Sequence, residues 1–219
     1  MIFNTTLHPQ MLKTLELPPL HRGIALLIRH ATRDFIPVGS QGIDIPLTEQ
    51  GILLAERLGF QLKRRIRCIK SSPSGRCIET GRAIAKGAGI QCDIILEPLL
   101  GEPGVFVIDV EKASPWFIDT DPLPMINKQL KGEEIPGTRF IKEGVRLLLE
   151  TMFMTHIKPG ELDIYITHDS VLVCAIYYLA GINNINEEMW PWMLEGACLW
   201  KVKNKVCWAW RGQVDYIYL

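Results

Sequence analysis

The chain has 219 residues, 47% hydrophobic and 22% charged, which suits one globular domain able to bury a full core without staples. Lys plus Arg and Asp plus Glu each total 24, so the formal net charge is zero. That argues against a nucleic-acid partner, which calls for a basic excess, but leaves room for a small anion in a locally cationic pocket.

The elements are read in chain order. Met1 to Leu20 lacks the basic start and continuous apolar core of an export signal. Gly23 to Arg29 is a short apolar run that predicts a buried strand. Thr48 to Arg65 carries Leu54, Leu58 and Leu62 at helical spacing, with Thr48 as its N-cap. Arg67 to Lys70 predicts a second strand, Gly75 to Gly87 a helix, and Ile90 to Leu96 a third strand. From Glu97 to Gly137 the periodicity fails, and Pro98, Pro103, Pro115, Pro122, Pro124 and Pro136 crowd the segment. A connection of that length predicts a lid, binding loops or an inserted cap at about 97–137.

Regularity resumes with a helix over Arg139 to Thr155, ended by Lys158-Pro159-Gly160. Leu162 to Thr167 is then a strand, and Ser170 to Leu179 a helix closed by Gly181. Ala197 to Val202 and Val206 to Trp210 predict a final hairpin. The alternation implies a three-layer α/β/α domain with a mostly parallel sheet. The longest apolar run, Val171 to Ala180, is half a bilayer span, so no membrane association and a cytoplasmic location are expected. Cys68, Cys77, Cys92, Cys174, Cys198 and Cys207 form no C-x-x-C pair and no metal-ligand spacing, so free thiols in a reducing compartment and no metal are expected.

Ligands of such sheets bind where strands end. The first strand delivers Arg29-His30-Ala31-Thr32-Arg33, the second Ser71-Ser72-Pro73-Ser74-Gly75-Arg76, and the strand at Leu162 to Thr167 delivers His168-Asp169-Ser170. Taken singly, His30 is more often a hydrogen-bonded structural histidine than a catalyst, and Arg76 more often an exposed helix charge. Together they converge. Guanidinium forks match two phosphate oxygens and stay charged at any working pH, and several of them can spread phosphoryl charge without a metal ion. A neutral imidazole among them can be the nucleophile of a covalent phosphohistidine.

These residues resemble the histidine phosphatase superfamily, the phosphoglycerate-mutase-like proteins. Leu27-Ile28-Arg29-His30-Ala31-Thr32-Arg33 is similar to its Arg-His-Gly signature, with Ala31 in place of the glycine. Leu47-Thr48-Glu49-Gln50-Gly51, Ser71 to Thr80, Leu99-Leu100-Gly101-Glu102 and Tyr165 to Ser170 follow in family order. The resemblance implies that His30 is the nucleophile and that Arg29, Arg33 and Arg76 bind the phosphoryl oxygens. His168, protonated, would complete the clamp. It also implies a cofactor-free phosphomonoester hydrolase acting on a small phosphorylated substrate. A phosphoglycerate-mutase-like phosphotransferase and a non-catalytic phosphate-binding protein on the same fold are the alternatives. Two carboxylates compete as proton donor. Asp169 matches the His-Asp of the acid-phosphatase branch and is preferred; Glu102 lies about where compact members place their acid. Asp169 could equally be a helix cap.

Other features receive structural readings. Lys63-Arg64-Arg65-Ile66-Arg67 reads as cations at a helix end, His21 and His156 as structural, and Trp200, Trp208 and Trp210 as core. Trp190 and Trp192 could line a subsite, and Trp116-Phe117-Ile118-Asp119 is expected to form a substrate wall or lid.

Overall fold

The computed structural model describes residues 6–36, 42, 45–62, 65–118 and 121–218. Its centre is a seven-stranded sheet of order β3-β2-β4-β1-β5-β6-β7. The strands are β1 (Ile24–Arg29), β2 (Arg65–Ser71), β3 (Ile94–Leu96), β4 (Glu161–Thr167), β5 (Gly196–Val202), β6 (Lys205–Trp210) and β7 (Gln213–Tyr218). The helices are α1 (Pro9–Glu16), α2 (Glu49–Gln61), α3 (Gly75–Gly87), α4 (Val110–Ile118), α5 (Pro122–Leu130), α6 (Ile141–Met152) and α7 (Asp169–Leu179).

β1 shows why the layers form. All six of its residues are buried, and successive side chains point to opposite faces. Ala25 and Leu27 join a core with α5, α6 and α7, whereas Ile24, Leu26 and Ile28 join a second core with α1, α2 and α3. Trp208 and Trp210 lie in the first core and Trp200 in the second, as the strand spacing requires. The three-layer α/β/α reading is thus the observed one. The sheet is divided rather than mostly parallel: β3, β2, β4 and β1 pair in parallel, while β1-β5, β5-β6 and β6-β7 are antiparallel. The hairpin of β5 and β6 is extended by the tail, which supplies β7 as an edge strand.

Several boundaries move. The third strand is three residues long, because 91–93 lie outside the ladder. α1 was not anticipated; its apolar anchors are few, and Met11 and Leu7 find their partners only in the second core. The proline-rich segment contains two helices rather than none. Pro122 opens α5, where a missing N–H costs nothing, and Asp121 caps it by accepting from Leu123 N. Ile126 is fully buried and α5 is built into the first core with α7. The basic run also differs: Lys63 and Arg64 lie outside the described residues, and Arg65 and Arg67 are in β2, paired with Glu161 and Asp163. All six cysteines are free. Among the described residues no helix is long and apolar enough to cross a membrane.

α2 and α3 approach closely. A Cβ on Gly59 would stand 2.0 Å from the Ile84 carbonyl oxygen, so glycine is the residue that permits the crossing. Gly51, at the start of α2, abuts Thr32 in the same way.

Candidate active site

Parallel register brings three strand ends side by side. Arg29 lies opposite Thr167, and Ser71 opposite Ile166. The next backbone bonds lock the exits, with His30 N donating to Thr167 O and Ser72 N to Ile166 O, both at 2.9 Å. α3 and α7 begin at these exits, so their positive N-terminal ends face the same place.

His30 is 2% exposed. Its Nδ1 lies 2.8 Å from the Ala31 carbonyl oxygen, an acceptor only, so Nδ1 carries the proton. Nε2 accepts from Arg76 Nε at 3.2 Å and therefore offers a lone pair. Burial, with His168, Arg29 and Arg76 adding repulsion, pushes the imidazole down to about 3, against the Ala31 bond. His30 is a neutral base in a fixed tautomer. Ala31 fills the place of the signature's glycine, fully buried, with its N–H donating to Thr80 Oγ1 at 2.9 Å.

Arg76, also buried, reaches three ways: Nε to His30, one terminal nitrogen to Gly42 O at 2.7 Å, the other to His168 Nδ1 at 3.1 Å. Because a guanidinium can only donate, His168 Nδ1 is an acceptor. Its Nε2 faces Ser72 Oγ at 3.1 Å. Burial and then Arg76 push His168 down to about 4. The expectation of a protonated His168 is therefore corrected for the unliganded site. It is neutral, because three arginines and burial oppose a further charge. The two imidazoles sit edge to face, centroids 5.5 Å apart.

Arg29 donates to Pro191 O at 2.5 Å and pairs with Asp169 at 2.5 Å, yet its Nε is buried without a partner. Arg33 donates to its neighbour's carbonyl at Asp34, and its Nε is likewise buried and unpartnered. Burial lowers the Arg33 guanidinium first, and repulsion from Arg76 and Arg29 lowers it further. Three guanidiniums thus repel one another, and among the described residues Asp169 forms an ion pair with one of them.

The two carboxylates differ. For Asp169, burial acts upward, but Arg29, His30 and His168 outweigh it and hold the carboxyl below its ordinary range. It also accepts from Ser170 N at 2.9 Å and from Trp190 Nε1 at 3.4 Å. Glu102 is exposed and, among the described residues, makes no hydrogen bond or ion pair. Gly101 before it packs against the His168 ring; a Cβ there would stand 2.4 Å from Cδ2. Glu102 itself is held at φ 64, left-handed backbone that a side chain adopts at a cost.

Arg29, His30, Arg33, Arg76, His168 and Asp169 meet at these strand ends, and Glu102 follows the glycine that packs on the His168 ring. Sequence reasoning missed Ser72, Thr80 and Trp190 as their supports. Ser72 and Thr80 sat inside quoted motifs without a role, and Trp190 was noted only for a subsite. The substrate-wall reading is not upheld for Trp116, which packs on the first core beneath Lys128, 5.1 Å from its ring centroid. The side chains of Phe117 and Ile118, and Asp119, lie outside the described residues. Among the described residues no group of His, Cys, Asp and Glu could hold a metal ion.

Residues 25–109 match the family model of the histidine phosphatase superfamily (branch 1). No curated protein matches the chain. Among solved structures it resembles a mutant phosphoserine phosphatase from Entamoeba histolytica in complex with phosphoserine, at 19% identity and TM-score 0.58, over 88% of this chain and 94% of that one. It also resembles YhfR from Bacillus stearothermophilus, at 20% and 0.57, over 88% and 98%. A mycobacterial glucosyl-3-phosphoglycerate phosphatase gives 13% and 0.55, over 90% and 97%. At these identities the likeness is one of fold. The sequence match is thus confined to residues 25–109, and the solved structures share the fold of the chain.

Proposed function

We propose that the protein hydrolyses small phosphomonoesters through a phosphohistidine on His30, without a metal or other cofactor. The observation that carries this reading is His30 itself: a neutral, buried imidazole with Nδ1–H tied to Ala31 O and Nε2 unprotonated, set among three arginines, two with an unpartnered buried Nε. Nε2 attacks phosphorus as the ester P–O bond breaks. Arg29, Arg33 and Arg76 hold the phosphoryl oxygens in a water-poor site, where fixed positive charge acts strongly.

The leaving alkoxide needs a proton. Asp169 is a poor donor, because its partner Arg29 keeps it ionised; the preference given to it on sequence is withdrawn. Glu102, next in the chain to the Gly101 that packs on the His168 ring and without an arginine partner among the described residues, is the better candidate for the acid. It then takes a proton from water, which attacks the phosphohistidine and releases phosphate with the imidazole restored. A dianion in the clamp would also favour protonation of His168, by offsetting the arginine charges that otherwise keep it neutral.

The test is hydrolysis of an aryl phosphate in the presence of a chelator. Wild-type protein should turn over and, when quenched in denaturant, carry an acid-labile phosphoryl label; His30→Ala should lose both. Unchanged turnover in His30→Ala, or turnover only with added divalent metal, overturns the reading.

A further inference from the structure

Arg29 is held by a loop from the far end of the chain. Pro191 O accepts one of its terminal nitrogens, Glu195 O accepts its backbone N–H at 2.9 Å, and Trp190 Nε1 donates to Asp169, its ion-pair partner. Leu194 N closes the other side on His30 O at 3.2 Å. The loop from 190 to 195 therefore sets the backbone of the nucleophile and the side chain of one clamp arginine at once.

Beneath that loop lies an ion pair that the proposed chemistry does not use. Glu195 is 1% exposed. Arg211 donates to its two oxygens at 2.6 and 3.0 Å, and to Trp190 O at 3.2 Å. Glu195 also accepts from Trp192 N at 3.2 Å. The guanidinium lies 4.7 Å from the Trp192 ring and 4.6 Å from the Trp210 ring, and His8 stacks on Trp192 at 3.8 Å. Arg211 stands in the two-residue turn between β6 and β7 at φ 47, followed by Gly212 at φ 80. Such a turn favours asparagine or glycine at the first place. An arginine held there against its backbone preference points to a task for its side chain.

We propose that Arg211 and Glu195 are positioning residues for the phosphoryl clamp, fixing the loop from 190 to 195 so that Arg29 meets the substrate in one orientation. This rests on the hydrolase reading above. Lysine at 211 keeps a charge against Glu195 but cannot reach both carboxylate oxygens and the Trp190 carbonyl together. The loop then loosens while the buried carboxylate stays paired.

The experiment is a double-mutant cycle of Arg211→Lys and Arg29→Ala, read on turnover of an aryl phosphate and on calorimetric binding of inorganic phosphate. Arg211→Lys alone should lower kcat/KM by about 10- to 100-fold and weaken phosphate binding, with a native circular dichroism spectrum. In the Arg29→Ala background the same change should cost clearly less on both readouts, because the side chain it acts through is gone and only the loop's backbone bonds to residue 29 and His30 remain. Glu195→Gln, which keeps the loop's acceptor, should retain more activity than Arg211→Lys. Equal losses in the two backgrounds would make Arg211 a fold-stabilising residue only and overturn the proposal while wild-type turnover leaves the hydrolase intact. Wild-type protein that neither turns over nor binds phosphate overturns both.

Discussion

At the residue scale the site turns on which nitrogen of His30 is free and which carboxylate can give up a proton. Both are set by neighbours rather than by residue type. Glu102→Gln should therefore lower kcat by about 100- to 10,000-fold on alkyl phosphates, whose leaving groups need a proton. It should cost less on p-nitrophenyl phosphate, whose leaving group needs no proton, so that only the hydrolysis of the phosphohistidine still calls on Glu102. Asp169→Asn should act differently, raising KM on both substrates because it releases Arg29. Steady-state kinetics on the two esters separates the roles; a larger alkyl-specific loss in Asp169→Asn would return the acid role to it. Much of this site was legible beforehand: Arg29, His30, Arg33, Arg76 and His168 stand at strand ends in an ordered set. The choice between Glu102 and Asp169 was not, since it depends on the Arg29 ion pair.

At the element scale, α2 and α3 are placed by close approaches that only glycine permits. Gly51→Ala would bring a Cβ to 2.2 Å from the Thr32 carbonyl oxygen. Overpacking of that kind should destabilise the protein by about 1–3 kcal/mol, read as a lower denaturant midpoint. It should also raise KM, because Thr32 lies between His30 and Arg33. A variant with wild-type stability and KM would show that the helix start yields freely. The strands and long helices were readable from their apolar patterns, a continuous run in β1, which is buried on both faces, and helical spacing in α3. The segment holding α4 and α5 was not, because its prolines read as breakers. Pro115 lies inside α4 and Pro122 at the first turn of α5, and only packing on the first core reveals that both helices form.

At the scale of the whole molecule, zero net charge conceals a cationic pocket, and two consequences follow for stability. An anion that binds only the folded clamp should raise the melting temperature. Inorganic phosphate at 100 times its dissociation constant contributes about 2.7 kcal/mol, or roughly 5–10 °C for a chain of this length. Arg33→Ala should lose most of that shift; a full shift in the variant would remove Arg33 from the clamp. Acid should act in the opposite sense. His30 and His168 are pushed down to about 3 and about 4 in the fold, from an ordinary value near 6.5. The unfolded chain therefore binds the extra protons first as pH falls below about 6.5. Stability should be unaffected by these groups above that pH. It should decline towards pH 4 by up to about 1.4 kcal/mol per unit for each histidine. Equilibrium unfolding at pH 7.5, 6 and 5 measures the slope, and removal of it by His30→Ala and His168→Ala assigns it.

What the sequence by itself determined is local: strand and helix types set by period-2 and period-3.6 patterns, the Thr48 cap, and which charged residues stand at which strand exits. Those features depend on residues a few places apart. The tertiary structure decided the rest, because the deciding contacts join distant parts of the chain. Arg29 meets Pro191 across 162 positions and Arg76 meets His168 across 92. The His30 tautomer is set by its neighbour Ala31, but its burial beside Arg76 and the Arg29–Asp169 pair come only from such distant meetings. They also pair the half-buried Arg211 with the buried Glu195 of the loop that holds the clamp.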